Sequence, residues 1–162
     1  MAIFSGVVVS GREMAQRHVS LAMDELSTIS GQDLFPGSMN VVLDKPLKLE
    51  SRYSAIFDHG KRFIWRARIG CRQVWIYRWK GTPFTIVEIL ADCRLKDALG
   101  LLDGSCIDIE IDDALVAPLD WRDRLSSFLI WGMGRKYLYY SKPYPSRRYV
   151  MRIRNGLGDG QR

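Results

Sequence analysis

Ser38 and Asn40 are two small oxygen-bearing residues two positions apart, within the stretch Phe35-Pro36-Gly37-Ser38-Met39-Asn40-Val41-Val42-Leu43. Pro36 presets φ and Gly37 tolerates positive φ, so the stretch opens as a turn. Val41, Val42 and Leu43 have strand character. In an extended strand, residues i and i+2 share a face, which sets the Ser38 hydroxyl beside the Asn40 amide. Hard, neutral oxygens suit a Mg²⁺ ion that keeps most of its water and takes other ligands from substrate phosphates. A capped turn leading into a core strand has the same spelling, and spacing alone favours that plainer reading. Glu88 is the one carboxylate in the apolar run TIVEIL, residues 85–90. It is a candidate to orient or deprotonate a hydroxyl; a solvent-facing strand glutamate is the alternative. His18 and His59 have no acidic or thiol neighbour at a metal-ligand spacing and receive no catalytic role.

These residues must be held by short elements. Residues 3–9 (IFSGVVV) are apolar and β-branched and predict a strand. Residues 12–28 show helical spacing, with Ala15, Val19, Ala22 or Met23, and Leu26 on one face. Ser10 is the expected N-cap, Glu13 its capping-box partner, and Gly31 the stop. Phe63–Ile69 and Val74–Trp79 predict the two arms of a hairpin. Thr85–Leu90 predicts a further strand, residues 93–99 a short helix, and residues 105–111 (SCIDIEI) a cleanly alternating strand. Residues 47–60 give no clear period. Asp120–Trp131 predicts an amphipathic helix capped by Asp120, followed by an aromatic run at Tyr137–Tyr140 and a basic segment at Arg147–Arg154. Many short strands with few helices point to a small β-barrel.

The chain has 162 residues, enough for one domain with a real core. Its 47% hydrophobic and 26% charged content is ordinary for a soluble globular protein, and a cytoplasmic location is expected. No apolar run approaches the length of about 18 residues that a membrane span needs, and no secretory signal is recognisable. Cys71, Cys93 and Cys106 are odd in number and lack metal spacing, so free thiols are expected. A formal charge of +6 favours anionic partners. The positive residues are spread along the chain, apart from mild clusters at Arg62–Arg72 and Arg147–Arg154, so net charge says little about which anion is bound, and nucleic acid is the less expected partner.

Three pieces, in order, resemble the CTP-dependent riboflavin kinases, an archaeal type of flavokinase. They are GVVVSG followed by REMA, then FPGSMNVVL, then TIVEILADCRLKDALGLLDGSCIDIEI. Together they span roughly residues 3–111. The resemblance implies a mainly β fold, a six-stranded Greek-key cradle-loop barrel over residues 1–112. A helix would follow strand 1, and residues 113–162 would add a C-terminal helix and hairpin packed on the barrel. It implies transfer of the γ-phosphoryl of CTP to the terminal hydroxyl of riboflavin, with Mg²⁺. By position, Ser38 and Asn40 would be the metal ligands. Gly11, Arg12, Glu13, Met14 and Ala15 would wrap the nucleotide, and Cys93, Arg94, Leu95 and Lys96 would read its base. Glu88 would contact the flavin and, with Asn40, serve catalysis. Thr82 would also contact the flavin, with Thr85 as the alternative.

The chain departs from the family in the nucleotide loop, which is typically G-x-G-E-G-A. Gly11–Ala15 is one residue shorter, with two glycines replaced. Arg12 offers a charge-assisted phosphate ligand instead. Another nucleoside triphosphate and another small hydroxylated acceptor therefore stay open. So do a non-catalytic nucleotide- or ligand-binding barrel and a nucleic-acid-binding regulatory module.

Overall fold

Ile107, Ile109 and Ile111 are buried while Cys106 and Asp108 are exposed, so the alternation in residues 105–111 builds a strand with one buried face. The same logic runs through the chain. The computed structural model describes residues 1–11 and 19–131. The strands are β1 (Ala2–Val9), β2 (Met39–Leu43), β3 (Ala55–Phe57), β4 (Arg62–Ile69), β5 (Arg72–Trp79), β6 (Ile86–Leu90) and β7 (Cys106–Ile111). The helices are α1 (Met23–Ser30), α2 (Leu95–Ala98) and α3 (Trp121–Trp131). The expected nucleotide-loop residues Arg12–Ala15, the aromatic run at Tyr137–Tyr140 and the basic segment at Arg147–Arg154 lie outside the described residues.

The strands pair antiparallel in the order β4-β5-β6-β2-β1-β7, and β7 returns to β4 at Arg68 opposite Glu110. The expected mainly β, six-stranded barrel is therefore present. β3 is a seventh strand, laid on the edge of β4, in the stretch whose sequence has no clear period. The barrel interior is filled by Val8, Met39, Val41, Leu43, Val74, Ile76, Val87, Ile89, Ile109 and their neighbours. A second apolar cluster lies outside it. Val19, Leu26 and Leu34 pack on Phe57, Ile64, Trp75, Tyr77 and Leu90. The α1 segment thus covers the outer face of β4, β5 and β6. β2 and β6 are buried at every position, which explains why they read as continuous apolar runs. Burying each such aliphatic side chain contributes about 1.5–3 kcal/mol.

The expected stop at Gly31 and the expected cap at Asp120 both hold, while the expected start of the first helix at residue 12 lies outside the described residues. Gly31 ends α1 with φ of +70°, and its N–H donates to the Ser27 carbonyl. Asp120 caps α3 reciprocally: the Asp123 N–H donates to Asp120 Oδ1 at 2.7 Å, and the Asp120 N–H to Asp123 Oδ2 at 3.3 Å. The apolar stripe of α3 does not face the described barrel, since Trp121 and Phe128 are each 67% exposed. Its polar side is held instead, through Lys48 Nζ to Asp123 Oδ2 at 2.6 Å. At the end of β5 the buried Arg78 guanidinium donates to the carbonyls of Leu47 (2.7 Å), Phe84 (3.1 Å) and Ile86 (3.2 Å), pinning three segments together. Among the described residues, no helix is long and apolar enough to cross a membrane.

Candidate active site

Met39, Val41, Val87 and Ile89 point into the barrel. By strand alternation Asn40 and Glu88 point out of it rather than into the lumen. Strand register then forms one transverse row: Val9 opposite Asn40, Asn40 opposite Glu88, and Glu88 opposite Tyr77. Asn40 and Glu88 are both buried, at 8% and 7% exposure, so the glutamate is not a solvent-facing one. The Ser38 hydroxyl donates to Glu88 Oε2 at 3.1 Å. Gly11 lies directly against this group, since a Cβ built on it would stand 2.1 Å from Asn40 Nδ2. Only glycine lets the backbone approach so closely.

Hydrogen bonds tie the surrounding loops to the row. The Phe35 N–H donates to the Ala91 carbonyl at 2.7 Å, which joins the Pro-Gly turn to the end of β6. Gly104 N–H donates to the Val8 carbonyl and Val8 N–H to the Ser105 carbonyl, both at 2.9 Å. Asp103 links the two segments expected at the nucleotide. Its carboxylate accepts from the Ser10 hydroxyl, just before Gly11, and from Lys96 Nζ at 2.5 Å. These two bonds, Lys96 first, hold the Asp103 carboxyl below the usual carboxylate range. Ser10, expected to cap the following helix, donates its hydroxyl hydrogen bond to Asp103.

On the far side of Glu88, burial pushes the Tyr77 phenol up to about 12, the Glu88 carboxylate adds to the rise, and the Arg62 guanidinium opposes it. Tyr77 is therefore a protonated hydroxyl throughout the ordinary pH range. Arg62 donates to the Tyr77 oxygen and, through Nε, to Asp58 Oδ2 at 2.5 Å. Asp58 is held below the usual carboxylate range by that bond.

The structure brings Ser38, Asn40, Glu88 and Gly11 together. Cys93, Arg94 and Lys96 stand at the same end of the barrel, and burial together with Asp92 pushes the Cys93 thiol up. Leu95 is buried in the barrel core, so its side chain is a plug. Thr82 lies in the turn between β5 and β6, at the other end of β6. Its hydroxyl accepts from the Trp79 N–H at 3.0 Å and donates to the Trp79 carbonyl at 2.7 Å. Thr85 is buried, and its hydroxyl has no hydrogen-bond partner among the described residues. Sequence reasoning missed Asp103, Tyr77 and Arg62. Asp103 lies in a Leu-Asp-Gly stretch that reads as a turn, and Tyr77 lies in the strand run VWIYRW, whose neighbours along the chain give no hint of Glu88 or Arg62.

Among the described residues, no three His, Cys, Asp or Glu side chains group as a metal site. Ser38, Asn40 and Glu88 nonetheless offer oxygen only, in one place, and such a set fits a hard cation completed by substrate oxygens.

The fold is a closed antiparallel barrel with a polar group, Ser38, Asn40 and Glu88, lying against Gly11. No protein-family model matches the chain. It is similar to a "Riboflavin kinase" of Methanocella arvoryzae, 27% identical over 124 residues, covering 68% of this chain and 57% of that protein. It is also similar to a "Riboflavin kinase" of Pyrobaculum arsenaticum, 28% identical over 126 residues, covering 65% of this chain and 59% of that protein. The chain spans less than two thirds of the length of these curated relatives. The resemblance expected from the three motifs is thus borne out by curated archaeal proteins.

Proposed function

We propose that the chain is a phosphotransferase of the riboflavin kinase type. It moves the γ-phosphoryl of a nucleoside triphosphate, CTP in the preferred reading, to the terminal hydroxyl of riboflavin with Mg²⁺ in a cytoplasmic setting. The observation that carries this reading is the Ser38–Glu88–Asn40 group, with Asn40 and Glu88 buried, lying against Gly11 at the start of the expected nucleotide loop.

Phosphoryl transfer asks for positioning and charge neutralisation more than covalent chemistry. Ser38 and Asn40 would hold Mg²⁺, which when bound neutralises charge on the phosphates. The acceptor hydroxyl oxygen bonds to the γ-phosphorus as the bond from that phosphorus to the bridging β–γ oxygen breaks, releasing the nucleoside diphosphate. Glu88 orients that hydroxyl and takes its proton, a contribution of typically 10²–10⁴-fold. Ser38, by donating to Oε2, fixes the carboxylate's orientation. Lys96 and Arg94 contribute positive charge at the nucleotide side, with Asp103 holding Lys96 in register with Ser10.

The test is transfer of labelled phosphate from each of the four nucleoside triphosphates to riboflavin and to a panel of small alcohols and sugars. CTP with riboflavin is expected to be the fastest pair, and Glu88→Gln is expected to lower kcat by about 10²–10⁴-fold. If no acceptor is phosphorylated and Asn40→Ala leaves nucleotide affinity unchanged, the reading fails.

A further inference from the structure

Ser10 and Lys96 lie in segments far apart in the chain, and one carboxylate takes a hydrogen bond from each. Asp103 Oδ1 accepts from Lys96 Nζ at 2.5 Å, and Asp103 Oδ2 accepts from the Ser10 hydroxyl, 93 residues away. Lys96 stands on α2, and Ser10 precedes Gly11, which lies against Asn40. A continuous path therefore runs from Lys96 through Asp103 and Ser10 to Gly11 and Asn40.

The loop that carries Asp103 is fixed on both sides by its backbone. Toward α2, the Leu101 N–H donates to the Lys96 carbonyl at 2.8 Å. Toward β1, the Gly104 N–H donates to the Val8 carbonyl and the Val8 N–H to the Ser105 carbonyl. Within the loop, the Ser105 N–H donates to the Leu102 carbonyl and the Leu102 N–H to Ser105 Oγ, both at 3.0 Å. Gly104 has φ of +92°, a conformation that glycine adopts without strain, and the chain turns tightly there. An exposed ion pair alone contributes little. Here the pair and the Ser10 bond sit on a loop whose backbone is already bound to both neighbours. The distance between the Cys93–Lys96 segment and Ser10–Gly11 is thereby set.

We propose that Asp103 determines nucleotide specificity by size, as a positioning residue that holds these two segments at a spacing a pyrimidine nucleotide spans and a purine nucleotide does not. The inference rests on the phosphotransferase reading, in which the Cys93–Lys96 segment meets the base and the Gly11 loop the phosphates. A purine carries a second fused ring and needs more room at its base end. The two segments must then part, which breaks the Lys96 and Ser10 bonds to the one carboxylate. A pyrimidine leaves both bonds in place. Discrimination arises from what the larger nucleotide must break rather than from an added contact to the smaller one. A purely structural residue would change the rate with every nucleotide alike, whereas a spacing residue changes the ratio between them.

The test is initial-rate kinetics of the full chain with riboflavin and each of CTP, UTP, ATP and GTP. The parent, Asp103→Ala, Ser10→Ala and the double variant are compared. In the parent, kcat/KM is expected to favour the two pyrimidine nucleotides over the two purine nucleotides by at least about tenfold. Asp103→Ala is expected to lower that ratio by at least about fivefold, with the KM for ATP falling relative to that for CTP. Ser10→Ala removes one arm and keeps the ion pair, so it is expected to lower the ratio by a smaller factor. In the Asp103→Ala background it is expected to add nothing. Four results overturn the proposal while the phosphotransferase reading stands. They are equal use of purines and pyrimidines by the parent, an unchanged ratio in Asp103→Ala, a uniform loss across the four nucleotides in both single variants, and an equal further fall from Ser10→Ala in the Asp103→Ala background. A parent that phosphorylates riboflavin from none of the four nucleotides overturns that reading and this proposal with it.

Discussion

A methyl group at Gly11 separates the fold from the site. Its Cβ would fall 2.1 Å from Asn40 Nδ2 and 3.0 Å from Asn40 Cγ, and the third nearest atom, at 3.5 Å, is Asn40 Oδ1. Ordinary contact begins near 3.4 Å, so the amide must retreat by about 1.3 Å (3.4 − 2.1). All three nearest atoms belong to one side chain, so the amide can swing and the barrel backbone need not move. The cost in stability is then at the lower end of the overpacking range of about 1–3 kcal/mol. For a domain of this size that corresponds to a fall in melting temperature of about 2–4 °C. The site does not escape so lightly, because a misplacement of about 1 Å in a reacting constellation costs on the order of 100-fold. Gly11→Ala is therefore expected to lower kcat for CTP-to-riboflavin transfer by about 100-fold, read by initial rates beside a thermal melt. In an Asn40→Ala background the same substitution is expected to cost little further, because the side chain it displaces is gone. A Gly11→Ala rate within about threefold of the parent, or an equal further loss in the Asn40→Ala background, would refute the reasoning.

Ser38→Ala removes the donor to Glu88 Oε2. It is expected to cost about 0.5–1.5 kcal/mol and to raise the Mg²⁺ concentration needed for half-maximal rate, whereas Ser38→Thr restores both; a rate-against-Mg²⁺ series checks it. Asp103 has a depressed carboxyl in the folded protein, so its contribution to stability is present above its unfolded value near 3.9 and is lost as pH falls through the lower folded value. Asp103→Asn is therefore expected to flatten the fall in melting temperature below about pH 4. It should also raise the KM for nucleotide by freeing Ser10 from Lys96. Arg78→Lys cannot reach the three carbonyls that the guanidinium fork spans, and a loss of about 3 kcal/mol by chemical denaturation is expected.

Much of the barrel was legible because its strands carry local signals. The alternation in residues 105–111 reports one buried face, and the Phe63–Ile69 and Val74–Trp79 runs flank a two-residue turn that pairs Ile69 with Arg72. β3 was not legible: three residues give too few periods to detect, and it exists because β4 offers it an edge. The apolar face of α3 read as a docking stripe, yet the contact to the barrel runs through Lys48 and Asp123, since periodicity says which residues share a face and not what lies against it. In the site, Ser38 and Asn40 stood out by type and spacing, while Asp103 and Tyr77 gained meaning only from residues far away in the chain.

By itself the sequence determined a small β-barrel, the two oxygen donors after the Pro-Gly turn, and the likeness to riboflavin kinases, because each rests on residues close together along the chain. Only the tertiary structure decided that Asn40, Glu88 and Tyr77 form one buried row on the outer face of the barrel. It also decided that Asp103 joins Ser10 to Lys96 and that Gly11 must stay without a side chain. The reason is strand register. A shift of one residue in any pairing turns the whole polar set to the other face, and that pairing is set by contacts far apart in the chain, such as Ser5 with Asp108, 103 residues away.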